Sequence, residues 1–85
     1  MKTRDGKIFV DVINGMTIAD AGDKHNCSGT TVSNIFFRVA RDLQKSDFPP
    51  KVDYKWYDTG VDIEKVRSDS DPWLESMRKY EEGLK

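Results

Sequence analysis

The chain holds one cysteine, Cys27, so no internal disulfide can form and nothing in its thiol usage calls for an oxidising compartment. There is also a single histidine, His25, and one thiol beside one imidazole has no zinc-ligand spacing. Paired carboxylates in a recognisable setting and phosphate-cradling glycine loops are missing too, which leaves no catalytic constellation to assemble. Long apolar runs are absent. Ile8-Phe9-Val10 and Ile35-Phe36-Phe37 fall far short of the roughly 20 residues that a bilayer span needs. The basic start, Met1 to Gly6, is not followed by an apolar signal-peptide core. The expectation is a cytoplasmic, non-enzymatic protein with no cofactor and no membrane partner.

Nor is there a charge excess of one sign: the net charge is −1. The total conceals a gradient. Up to Lys45, seven basic residues face five acidic ones, whereas from Ser46 onward seven face ten. That polarity suits a front part that meets a polyanion and a back part that does not, although ordinary surface variation produces gradients of this size. At 85 residues the chain has room for one domain with a small core.

What is present reads as helices. Ile8, Phe9, Val12 and Ile13 recur at helical spacing, and Asn14-Gly15 is suited to a left-handed C-cap, so a first helix is expected from Thr3 to Ile13. The β-branched content of that stretch makes a strand the rival reading. Thr17-Ile18-Ala19-Asp20 has the form of a capping box opening a second helix, which should stop near Lys24 or His25 because Asn26 tolerates positive φ. Ser28 can cap a third helix over residues 28–44, in which Val32, Ile35, Phe36, Val39 and Leu43 fall on one stripe; Asp47-Phe48-Pro49-Pro50 should end it.

Residues 51–58 read as a packed loop, with Tyr54, Trp56 and Tyr57 as a core-building clamp rather than a base-stacking platform. A short helix is expected from a cap at Thr59–Asp62 to about Arg67, then a polar break over Ser68–Asp71. A last helix should follow, capped by Asp71, with Pro72 in its first turn and Trp73, Met77, Tyr80 and Leu84 as its apolar stripe. That stripe reads first as packing on the core and second as a dimer seam.

A helix-turn-helix needs a small residue where its helices cross, a positive-φ residue in the turn, and apolar residues that bury the second helix on the first. Gly22, Asn26 and Cys27 fill the first places, Cys27 as a buried structural thiol. Ile18 and Ala21 form the first helix's inner face, and Val32 and Ile35 the second's. The stretch from Gly15 to Ile35 resembles the helix-turn-helix of region 4 in bacterial sigma factors, which reads promoter DNA. It is also similar to LuxR-type and resolvase-type modules, and a small phage regulator fits the pattern. With the first helix included, the resemblance runs from about Arg4 to Leu43, half the chain. Two positions depart from it: Asn26 stands where glycine is usual, and His25 where an apolar residue is usual.

The expected fold is therefore all-α: a three-helix helix-turn-helix core over residues 1–46, and an extension over residues 47–85 whose one or two helices pack on the core or mediate dimerisation. The resemblance implies that the third helix enters the major groove. Independently of it, the face opposite the apolar stripe carries Thr30, Ser33, Asn34, Phe37, Arg38 and Arg41, with no acid before Asp42. Arginine can take guanine or phosphate, and asparagine adenine. Small hydroxyls suit phosphates or thymine methyls, and the amides near Ser28 and Gly29 offer a phosphate site. A plain solvated helix face is the alternative. Phe37 is out of place on such a face, and the chain after Pro50 is expected to fold over it. His25 is assigned no chemistry, as a packed or capping side chain.

The partners implied are double-stranded DNA, a second copy of the chain, and, in an alternative reading, RNA polymerase bound without DNA being read.

Overall fold

In the computed structural model, residues 3–52 and 63–83 are described. Five helices run through them, with no strand among the described residues: α1 Thr3–Ile13, α2 Ile18–His25, α3 Gly29–Gln44, α4 Ile63–Ser68 and α5 Ser70–Gly83. The strand alternative for the first segment is excluded. Burial explains why: Ile8, Phe9, Val12 and Ile13 all point into the core, which a two-residue period would have split between two faces.

Phe9 is the centre of that core. Its ring stacks on Phe36 of α3 at 4.8 Å between centroids and tilts against Trp73 of α5 at 6.1 Å. Around this trio lie Val32, Ile35, Val39, Ala40 and Leu43 from α3, Ala21 from α2, Val66 from α4 and Met77 from α5, all buried. The C-terminal helices thus share the core of the first three.

The link between α1 and α2 turns at Gly15, φ 113°, and Thr17 in extended geometry caps α2 by accepting a bond from the Asp20 amide at 3.1 Å. At the other end Asn26 sits in the left-handed region, φ 57° and ψ 51°, and the Cys27 amide donates to the Gly22 carbonyl at 2.8 Å. Ser28 then caps α3, its hydroxyl accepting from the Thr31 amide at 3.2 Å. The approach of α2 to this turn is close. A β-carbon on Gly22 would lie 2.6 Å from the carbonyl oxygen of Cys27, so the small residue is a steric requirement.

The third helix ends at Gln44, as its apolar stripe predicts, and Ser46 turns the chain ahead of the prolines: its hydroxyl donates to the Leu43 carbonyl at 2.7 Å and accepts from the Phe48 amide at 3.2 Å. One expectation about an element end changes. The polar break shrinks to Asp69, because α5 begins at Ser70 and takes Asp71 and Pro72 into its first turn, where a missing amide costs nothing. Asp71 is therefore a first-turn acid rather than the cap. The Thr59–Asp62 cap, the Tyr54/Trp56/Tyr57 cluster and Leu84 lie outside the described residues.

Arg67 of α4 fastens the back of the fold. Its guanidinium donates to the carbonyls of Val12 at 2.9 Å and Met16 at 2.6 Å, and pairs with Glu64 at 2.7 Å. α1 carries no basic residue in its own last turn, so a cation from a distant segment meets the negative end of its dipole. On α5, the Ser76 hydroxyl donates to the Phe48 carbonyl, pinning the chain that leaves α3.

Two glycines should respond oppositely to alanine. Gly22→Ala forces backbone apart and should cost about 2 kcal/mol despite alanine's better helix propensity. Gly6→Ala crowds only the carboxylate end of the Glu81 side chain, at 2.8 Å, with ordinary contact to Met77 Sδ at 3.6 Å, and should gain up to about 1 kcal/mol. Urea unfolding of both variants checks this, and a Gly22→Ala protein as stable as the parent would refute the steric reading.

Candidate nucleic-acid interface

Because Val32, Ile35, Phe36, Val39, Ala40 and Leu43 occupy one side of α3, the opposite side is fixed by geometry. Thr30, Asn34, Phe37, Arg38 and Arg41 fall within an arc of roughly 100° there, and all five are exposed. Ser33 is half-buried at the edge of the arc. Ser28 is not part of the face. Its hydroxyl is engaged in the cap and lies 2.9 Å from the Thr31 hydroxyl, so what the start of α3 offers a ligand is its backbone amides rather than that side chain.

The arginines stand clear of the C-terminal helices. Arg38 is 64% exposed, and the exposed Arg41 guanidinium has no hydrogen-bond or ion-pair partner among the described residues. Asn34, Arg38 and Arg41 follow each other at intervals of four and three residues, so they form a rail along the helix. Phe37 lies within the same face with its ring edge-on to Phe36 at 5.9 Å, and 36% of it is exposed. The chain expected to cover it lies largely outside the described residues, at 53–62.

Two residues that sequence reasoning passed over border this face. Asp5, in the first turn of α1, has a carboxylate only 7% exposed, placed 3.9 Å from Arg38 Nη1 and 4.0 Å from Arg4 Nε. Arg4, itself 54% exposed, therefore extends the cationic surface from α3 onto α1. No local signal ties either residue to this face, since the contact that does so, Asp5 with Arg38, joins segments far apart in sequence.

A second polar cluster ties α1 to the end of α2. The Asp11 carboxylate lies 2.7 Å from His25 Nε2 and 3.0 Å from Lys24 Nζ, with the His25 side chain 11% exposed. His25 is thus a packed side chain with a carboxylate partner, which explains how a polar residue occupies a position where an apolar one is usual. The hydrogen bond from His25, helped by Lys24, holds the Asp11 carboxyl below its usual value of 3.8, against the opposing effect of partial burial. Cys27 is half-buried against the core.

No helix among the described residues is long and apolar enough to cross a membrane. No protein-family model matches the chain, and no curated protein or solved structure is similar to it.

The Asp11 cluster has a defined pH signature. A carboxyl whose folded pKa lies below its unfolded one contributes stability that is complete above about pH 4 and is lost as pH falls through the folded value. Urea midpoints measured from pH 6 down to pH 2.5 should converge for the parent and Asp11→Asn, the parent being the more stable only at the upper end. Parallel curves would show that the carboxylate contributes nothing.

Proposed function

We propose that this chain is a small DNA-binding regulator in which α2, the Asn26 turn and α3 act as a helix-turn-helix, with α3 laid in the major groove of duplex DNA. The observation that carries the reading is the outer face of α3: Thr30, Asn34, Phe37, Arg38 and Arg41 are all exposed on one arc, backed by a fully apolar stripe that holds the helix in place. These side chains supply what groove reading requires, namely guanidinium forks for guanine or phosphate, a carboxamide for adenine, and apolar contact for a thymine methyl. The notch at Gly22, the left-handed turn at Asn26 and the cap at Ser28 support the motif assignment, because each is a local device that such a corner needs. A module of this size buries little surface on its own, so two copies on adjacent half-sites are the expected bound form, and regulation would come from abundance or a partner.

One observation favours a second reading. Phe37 presents 36% of a large aromatic surface in the middle of a polar face. Aromatic anchors of that kind are common in protein interfaces, and the alternative is a module that docks on the transcription machinery, RNA polymerase included, without reading DNA.

Selection of bound sequences from random duplexes separates the two. Under the DNA reading, a duplex is enriched at low salt and its affinity falls steeply with salt. Arg38→Ala and Arg41→Ala each weaken binding about tenfold or more. No enrichment at low salt, together with polymerase binding that survives both substitutions, would replace the first reading with the second.

A further inference from the structure

The Asp5 carboxylate is the buried charged group beside the proposed interface. Its side chain is 93% hidden from solvent by the 7% exposure, yet its ionic contacts among the described residues, at 3.9 and 4.0 Å, are both longer than a hydrogen bond. An acid in the first turn of a helix is favoured by the helix dipole, but an exposed acid there would gain that benefit without the cost of burial. Burial is what needs a reason, and the geometry supplies one: Oδ1 faces Arg4 and Oδ2 faces Arg38, so one carboxylate lies between two guanidinium groups from different helices.

An exposed arginine samples many rotamers, and fixing it on a ligand costs side-chain entropy. A carboxylate anchored in the fold narrows that sampling for both arginines. It brings the two cations together across the α1/α3 boundary while each side chain stays more than half exposed to a ligand. Resting on the DNA reading above, we propose that Asp5 is a positioning residue. It aims the Arg38 fork at the edges of bases and sets Arg4 beside it as a phosphate contact, so discrimination between DNA sequences depends on α1 as well as on α3.

The readout is the ratio of affinities for the duplex enriched by the parent protein and a shuffled duplex of the same length and composition. It is measured by fluorescence anisotropy at one salt concentration, on proteins whose circular dichroism shows the same helix content. Asp5→Asn removes a negative charge, so the shuffled duplex should bind as well as before or better. The enriched duplex should bind more weakly, and the ratio should fall about tenfold. A purely structural role for Asp5 would lower the melting temperature and leave the ratio of the folded protein alone.

Arg38→Lys, which keeps the charge but loses the fork, should lower the ratio by the same factor. In the double variant the two effects should not add. This substitution leaves the buried carboxylate in place, so it tests the proposal even if Asp5→Asn fails to fold. An unchanged ratio in Arg38→Lys, or fully additive effects, overturns the role of Asp5 while the DNA reading stands. Failure of the parent protein to enrich any duplex overturns both.

Discussion

With the Cys27 carbonyl oxygen only 2.6 Å from where a β-carbon on Gly22 would stand, the corner between α2 and α3 closes only because that residue has no side chain. Everything downstream inherits its geometry from this contact. The Gly22 carbonyl accepts the Cys27 amide, Asn26 takes the left-handed conformation that turns the chain, and Ser28 caps the next helix immediately. A second tight spot, 3.3 Å between a β-carbon on Gly29 and Ile18 Cγ2, brings the start of α3 against the start of α2. Once α3 begins at a fixed residue in a fixed place, its 3.6-residue period decides which side chains face α1 and which face outward. The exposed Thr30–Arg41 face is in that sense a consequence of the corner.

The rest of the chain holds the corner from behind. Three short helices bury too little to be secure alone, and the aromatic trio Phe9, Phe36 and Trp73 draws α5 into the same core. Arg67 performs the matching polar task, satisfying carbonyls at the end of α1 and in the following turn while its own charge is met by Glu64. Residues 63–83 are therefore structural for the part before Pro50, since their buried side chains belong to the common core.

Local chemistry was legible in the sequence, and distant pairing was not. The bounds of α1, the Thr17 and Ser28 caps, the Asn26 turn, the need for a small residue at Gly22 and the stripe of α3 all follow from residues within a turn or two of each other. The end of α3 at Gln44 was legible too, although the proline pair reads as the stop and the Ser46 hydroxyl turns the chain before it. The break at Ser68–Asp71 was overestimated because serine, aspartate and proline serve loops and helix starts equally well. Arg67 reaches Val12 across 55 residues and Asp11 reaches His25 across 14, and no pattern in a single chain announces such pairs. The same limit hid Arg4 and Asp5 from the sequence reading of the site, while the face of α3 itself could be drawn from periodicity alone.

A net charge of −1 is an unusual starting point for a proposed DNA binder, and the arrangement of its charges bears on what sort of binder it would be. Alongside the arginines of α3 and Arg4 of α1, the exposed face of α2 carries Asp20 and Asp23. In a helix-turn-helix the first helix crosses the phosphate backbone, so acids there oppose approach to any duplex, whatever its sequence. Affinity that comes from phosphate neutralisation is thereby held down, and the contacts left to compensate are those of Asn34, Arg38 and Arg41 in the groove. On this reading a small cationic surface set among acids trades general adhesion for discrimination. That trade makes the orientation of each arginine, rather than the number of them, the quantity on which recognition turns.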